Sequence, residues 1–325
     1  VLDLARGRLE RAMSALRQIP DDAPIDTAAR KQRGMQATTS LIVDGDALRD
    51  IGEGQVAWIE GTEDSPVLRL APIDVGELLD EQLWNRQTVV LTSATLSPAV
   101  AEQTGAPAES FDQLDVGSPF EYEQQAILYC ATDLPAPNDP TWEAAMHEEL
   151  AALIEAAGGR TLALFTSYRS LRSAVEAMRE RLEVEILAQD DLPKAVLIER
   201  FTEEPSTCLF ATMGFWQGVD VPGATLSLVT IDKLPFPRPD DPLLQARRER
   251  ARADGFRLVD LPRATTLLAQ GAGRLIRSTG DRGVVAVFDP RLATKNYRWS
   301  FINALPPMRR SKDRAEVEQF LRSLR

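Results

Sequence analysis

Two cysteines, one histidine and five lysines are all that 325 residues contain of those types, and each shortage excludes some chemistry. Cys130 and Cys208 lie far apart, so they build no disulfide framework, zinc-ligand spacing or iron–sulfur ligand set, and this usage fits a reducing, cytoplasmic setting. His147 is the only histidine, so a Ser-His-Asp triad would have to use it. It lies in the acidic run WEAAMHEEL, which reads as a solvated helix surface. None of the lysines, Lys31, Lys194, Lys233, Lys295 and Lys312, follows a glycine. The Gly-Lys-Ser/Thr loop that wraps backbone amides and an ammonium around phosphates is therefore missing. No Asp-Glu-x-His magnesium motif precedes Ser93 either. The longest apolar run is about eight residues near Ala224–Ile231, where a bilayer span needs ~20, so no membrane segment is expected. No signal peptide is visible, and a first residue of Val1 predicts a fragment or a processed chain.

A hydrophobic content of 44% is ordinary for a soluble globular protein, and the length allows one large or two medium domains. The net charge of −12 argues at first against nucleic acid, but it is unevenly spread. Residues 241–325 carry 18 Lys and Arg against 9 Asp and Glu, a charge of +9, which leaves −21 for residues 1–240. An acidic body with a basic C-terminal quarter can still present a phosphate-binding surface that the average conceals. Acidic pairs such as Asp21/Asp22 and Asp190/Asp191 have no companion ligands and read as solvated loops.

Helical periodicity covers Val1–Ile19, with Leu2, Leu4, Leu9, Met13 and Leu16 in one stripe, and a second helix is expected over about 27–48 after the Pro20–Pro24 break. From Gln55 the pattern changes. VAWIE and VLRLAP, separated by GTEDSP, read as two short strands joined by a turn. A helix over about 75–84 leads to TVVLT at 88–92, read as a buried strand that delivers Ser93, Ala94, Thr95, Leu96 and Ser97 at its C-terminal end. Beyond Phe120 strands and helices alternate. Strands are expected at 126–129, 161–165, 183–187, 207–211, 224–231 and 283–288, with helices at 142–157, 170–181, 195–201, 242–252, 261–278, 296–304 and 313–324. This alternation predicts an α/β fold, a parallel sheet with helices on both faces, plus a small helical N-terminal segment.

Ligands of parallel sheets bind at the C-terminal strand ends, and several of these ends carry polar or glycine residues. Thr166 and Ser167 follow their strand directly, and hydroxyls beside free backbone N–H groups there suit a nucleic-acid phosphate. In TMGFWQGVD, Gly214 and Gly218 permit a tight path, Asp220 could accept from a sugar hydroxyl or an arginine, and Trp216 reads equally as a base-stacking or a core residue. The stretch that organises the rest is QGAGRLIR, 270–277. On a helix, Gln270, Arg274 and Arg277 would share one face, and Gly271, Ala272 and Gly273 would leave it flat. Two guanidiniums beside small residues suit a polyphosphate. An isolated R-x-x-R would more often be an incidental surface pair. A dinucleotide fingerprint is rejected because these glycines fall late in a helical run instead of between a strand and a helix.

The order SATLS, FTSY, GFWQGVDVPG and QGAGRLIRS, with KLPFPRPDDP, VFDPRL and LPP between and after them, resembles superfamily 2 DNA helicases of the DinG and XPD type, and looks closest to the bacterial DinG-like branch. The likeness runs over about 56–308, and the combined order is specific where each motif alone is weak. It implies RecA-like domains of the P-loop NTPase type that hydrolyse ATP with Mg2+ and move along single-stranded or forked DNA, 5′ to 3′. By position, Ser93, Ala94 and Thr95 would couple nucleotide state to DNA grip, and Thr166, Ser167 and Trp216 would meet the DNA. Gly218, Asp220 and Gly273 would lie along the nucleotide, with Gln270, Arg274 and Arg277 facing the γ-phosphate. The missing phosphate loop and magnesium motif belong, in that family, to the N-terminal motor half, as do any iron–sulfur cysteines. The chain is thus expected to be a C-terminal portion whose partner is that N-terminal half. Residues 1–54 would be a remnant of the arch insertion, 55–115 the end of the first RecA-like domain and 116–325 the second, inactive alone as an ATPase. A non-enzymatic nucleic-acid-binding module on a degenerate helicase fold is the rival.

Overall fold

Seven parallel strands are stacked in the order β5-β6-β4-β7-β8-β3-β9. The computed structural model describes residues 1–325 except 21, 94–99, 108–110, 205 and 216–225. Two compact units emerge: 1–89 with 101–109 and 239–250, and 90–100 with 110–238 and 251–325.

The first unit holds the long helices Leu2–Arg17 and Ile25–Arg49, packed against each other, and the antiparallel hairpin of β1 (Gln55–Thr62) and β2 (Ser65–Pro72). Gly61 makes the hairpin turn possible. Its φ of +95° is left-handed, and a Cβ there would lie 2.4 Å from the Ser65 carbonyl oxygen. The expected helix near 75–84 begins as an α-turn, Gly76–Leu79, and widens into a π-turn over Asp80–Trp84.

The second unit holds β3 (Ala126–Cys130), β4 (Thr161–Phe165), β5 (Ile186–Ala188), β6 (Cys208–Thr212), β7 (Leu228–Ile231), β8 (Gly283–Val287) and β9 (Arg309–Ser311). Every residue of β3 to β8 is buried, as expected for a sheet covered on both sides. Alternate side chains feed two separate cores. Ile127, Tyr129, Ala163, Phe165, Cys208 and Phe210 meet the helices Trp142–Ala157, Tyr168–Arg181 and Arg314–Arg322. Leu128, Leu162, Leu164, Leu209, Val229 and Ile231 face Lys194–Glu203, Leu261–Ala272 and Arg298–Ala304. The free thiols of Cys130 and Cys208 are buried within these layers, and burial pushes both up to about 12.

Close backbone approach decides how β4 is entered. Gly158 and Gly159, with φ of +70° and +85°, end the helix before it, and a Cβ on Gly159 would lie 2.0 Å from the Ser206 carbonyl oxygen. Only glycine fits such a contact in the left-handed region.

Three sequence expectations need correction. TVVLT at 88–92 is not a strand; it runs as irregular chain, with Val90 80% exposed. An apolar run becomes a strand only where a neighbour completes its hydrogen-bond ladder, and the described residues supply none. The helix expected over 261–278 stops at Ala272. The three-residue strand β9, sequence Arg-Arg-Ser, was not foreseen, because pairing with β3 and not its own pattern makes it a strand.

Candidate functional site

The polar groups of the second unit gather at both edges of the parallel sheet, and three buried aspartates organise them: Asp232 and Asp289 just after β7 and β8, and Asp281 at the opposite edge, just before β8 begins. At the end of β7, Asp232 is 1% exposed. Its Oδ1 accepts from the backbone N–H groups of Thr166 and Lys233 at 2.8 Å each, and its Oδ2 accepts from the Thr166 hydroxyl at 3.2 Å. Burial raises its carboxyl to about 6 even though these donors favour the charged form. β4 and β7 are hydrogen-bonded neighbours, so this one carboxylate ties two adjacent strand ends together.

This knot corrects the reading of Thr166. Its backbone N–H and hydroxyl are both committed to Asp232, so it does not offer a free amide to a phosphate. Ser167 is different. It is exposed and caps the helix Tyr168–Arg181, its Oγ accepting from the Ser170 N–H at 3.1 Å. A hydroxyl that accepts still has a proton to give, and the first turn of a 14-residue helix favours an anion. Alongside, the Gln189 Oε1 accepts from the Thr212 N–H and hydroxyl at 2.7 and 2.8 Å, and its amide donates to the Tyr168 hydroxyl at 2.6 Å. The start of that helix is thereby linked to the end of β6.

The end of β8 holds the second aspartate. Asp289, 0% exposed, accepts from the Leu234 N–H at 2.9 Å, from the Arg291 N–H at 3.0 Å and from the Arg291 guanidinium at 2.6 to 3.1 Å. A buried carboxylate with a fork-shaped cation and backbone donors is fully satisfied, so this pair is a fixed brace between the β7 and β8 exits.

The third aspartate shapes the arginine segment. The helix Leu261–Ala272 ends with Gly273 as its cap, and the chain then turns. Gln270 is on the helix while Arg274 and Arg277 lie beyond it, so the expected single helix face of three polar side chains is not what the fold provides. The arginines are instead held on a turn whose Leu275 and Ile276 plunge into the core at 2% and 5% exposure, leaving Arg274 and Arg277 half-buried on either side. Asp281 fixes that turn, its Oδ2 accepting from the N–H groups of Arg277 and Ser278 at 2.7 Å each. From the other side Gln125 donates to the carbonyls of Thr279 and Asp281 at 3.0 Å.

Gln270 is half-buried, and its Oε1 finds no hydrogen-bond partner among the described residues. Gly273 is exposed with an ordinary φ of −66°, and only carbonyls of its own helix lie near a Cβ placed there. Among the described residues only the Ala269 carbonyl oxygen, 3.1 Å from a Cβ placed at 273, crowds this position, and the glycine leaves the surface beside Gln270 bare. No strand precedes these glycines, which upholds the rejection of a dinucleotide fingerprint.

Of the other expected site residues, Ser93 lies on exposed irregular chain. Ala94, Thr95, Trp216, Gly218 and Asp220 fall outside the described residues. His147 is half-buried, not fully solvated, and burial lowers its pKa although Glu143 works the other way. The three aspartates and Gln189 were not singled out from sequence. IDK and VFDPRL directly after apolar strands were the available signal, since a carboxylate there is either solvated or clasped by neighbouring strand ends.

Residues 150–308 match the family described as Helicase C-terminal domain. The ATP-dependent helicase DinG of Mycobacterium tuberculosis (strain ATCC 25618 / H37Rv) is 48% identical over 283 residues, covering 83% of this chain and 43% of the relative. The ATP-dependent DNA helicase YoaA of Escherichia coli (strain K12) is 39% identical over 284 residues, covering 84% and 44%. The chain thus spans less than half the length of these relatives. A solved structure titled XPD_APO superposes with a TM-score of 0.61 at 16% identity, over 88% of this chain and 59% of its own. That likeness identifies the fold as RecA-like.

Proposed function

Because this chain belongs to the DinG/XPD-like helicases, we propose that it is the C-terminal motor portion of an ATP-dependent DNA helicase that couples hydrolysis to 5′ to 3′ movement along single-stranded DNA. The observation that carries this is 48% identity over 283 residues to a DinG helicase, together with the family match over 150–308, which includes the braced Gln270–Arg277 turn. We assign residues 116–325 to the second RecA-like domain, 55–115 to the end of the first and 1–54 to a remnant of the arch insertion.

The residues of the turn fit a nucleotide. Arg274 and Arg277 bring permanent charge on a rigid support, the bare Gly273 lets a phosphate chain come close, and the unpartnered Gln270 Oε1 is an acceptor that can orient a water. When bound, ATP with Mg2+ supplies the phosphoryl group that is transferred to water. The described groups of this chain that fit that step are its arginines, Arg274 and Arg277. Their role is to stabilise charge spreading over the phosphoryl oxygens. Ser167, at a helix N-terminus, holds a DNA phosphate, while Thr166 acts one step back by keeping the β4 exit tied to Asp232. Ser93, Ala94 and Thr95 couple the nucleotide to the strand, Gly218 and Asp220 link the two paths, and Trp216 stacks on a base. No described helix is long and apolar enough to cross a membrane. A cytoplasmic place of work follows from the proposed action on DNA.

In the full-length protein, Arg277→Ala is expected to lower DNA-stimulated ATPase by ~10³ or more. Turnover within a few fold of the parent would refute the finger role. The chain of residues 1–325 alone is expected to show almost no ATPase, since it has no phosphate-cradling loop; robust turnover would reject the assignment as half a motor. The same missing loop is the one observation favouring a non-enzymatic nucleic-acid-binding module. That reading predicts no ATPase in the full-length protein either.

A further inference from the structure

An acid-free stretch runs through the last part of the second unit. Residues 290–312 contain no Asp or Glu, yet carry Arg291, Lys295, Arg298, Arg309, Arg310 and Lys312. Two of these cations are occupied, Arg291 by Asp289 and Arg309 by Glu316. Two others, Arg298 and Arg310, flank a tryptophan that the core does not use. On the helix Arg298–Ala304, Phe301 is 0% exposed and, with Leu305, packs in the core, and Tyr297 and Phe236 stack around it. Trp299 points the other way and is 49% exposed. The Arg298 guanidinium lies 5.2 Å from its ring centroid, and that of Arg310, reaching over from the edge strand β9, lies 5.9 Å away.

We infer that Trp299, flanked by Arg298 and Arg310, is a stacking platform for single-stranded nucleic acid, separate from the strand-end residues assigned above. An exposed indole costs solvation and brings no core packing. A base can stack on the exposed part of the ring, and the guanidiniums supply charge for the phosphates on either side. The two guanidiniums flanking the ring favour a polyanion, and the aromatic surface favours one with π-faces, which a nucleic acid has and an acidic peptide mostly lacks. This surface rests on the motor reading for its partner but not for its chemistry.

The test is a titration of the full chain with a fluorescently labelled oligo(dT), alongside Trp299→Ala, Trp299→Phe and the double variant Arg298→Gln/Arg310→Gln, with urea midpoints measured on each to confirm folding. Trp299→Ala is expected to weaken binding about tenfold or more while Trp299→Phe retains most of it. The double variant is expected to flatten the salt dependence by about 1.4 in slope. Binding by Trp299→Ala equal to the parent would overturn the platform and leave the motor reading intact, since that reading is judged separately by the ATPase of Arg277→Ala. Absence of any binding by the parent chain would overturn it too. Poly-glutamate competing as well as oligo(dT) would identify the surface as a site for acidic protein and equally reject the proposal.

Discussion

Both units of this chain contain regular helices and strands, but among the described residues only the second has an extensive core. In the second unit whole strands and one side of six helices are buried. Among the described residues of the first, the buried apolar side chains are Met13, Ile73 and Leu244. Its long helix Ile25–Arg49 has Thr38 as its one buried residue, and the hairpin leaves Ile59, Val67 and Leu68 exposed. Regular secondary structure is therefore a poor guide to where stability lies. Hydrogen bonds within a helix or hairpin satisfy the backbone, while apolar burial supplies most of the net driving force.

The sharpest way to break this contrast is a pair of core truncations. Phe210→Ala, in the second unit, is expected to destabilise by about 3–5 kcal/mol, whereas Met13→Ala, in a unit that buries few other apolar side chains, should cost about 2 kcal/mol, the low end for such a truncation. Urea unfolding of both variants decides the point, and equal losses would show that the first unit has a core of its own.

Next in size is a pH effect confined to the second unit. With its carboxyl raised to about 6, Asp232 binds more protons folded than unfolded between about pH 4 and 6. Its contribution to stability therefore falls as pH rises through that window, by about 3 kcal/mol in all. Asp232→Asn keeps an oxygen for the Thr166 and Lys233 amides and removes the charge. The stability difference between variant and parent should grow in the variant's favour from pH 4 to pH 7, as followed by urea midpoints; a constant difference would refute the assignment.

A smaller effect is expected at the arginine turn. Asp281→Ala removes acceptors from two backbone N–H groups and should cost about 1–3 kcal/mol. Amide hydrogen exchange should quicken at Arg277 and Ser278 well before β8 itself responds. At the bottom of the scale, Glu60→Ala breaks an exposed cross-strand pair with Arg69, 2.8 Å apart on the hairpin, and should shift stability by less than about 1 kcal/mol, within salt-dependent reach.

Much of the second unit was legible because its elements announce themselves locally. Strand 161–165 and helix 142–157 were read with the bounds the structure has, since an unbroken apolar run between turn residues and a 3.6-residue apolar stripe have few other interpretations. TVVLT carries the same local signal and failed, because a strand is half of a pair. The candidate site was legible as a set of polar strand ends and as the QGAGRLIR segment, but not in its construction. Gly273 permits a helix to continue or to stop, and it stops where Leu275 and Ile276 find the core and Asp281 catches the turn. Asp232 and Asp289 drew no reading, because nothing in an isolated sequence marks which carboxylate will be covered.

Sequence alone decided the family resemblance, the alternation that makes a parallel sheet and the residue types available at its C-terminal edge, since these depend on order, periodicity and side-chain chemistry along one dimension. Tertiary structure alone decided which strands had neighbours, where the arginine-bearing helix ended, and which of Thr166 and Ser167 kept a donor for a ligand. Those outcomes depend on burial and pairing between segments far apart in the chain, and the energy of a carboxylate or an amide is set by what it meets there.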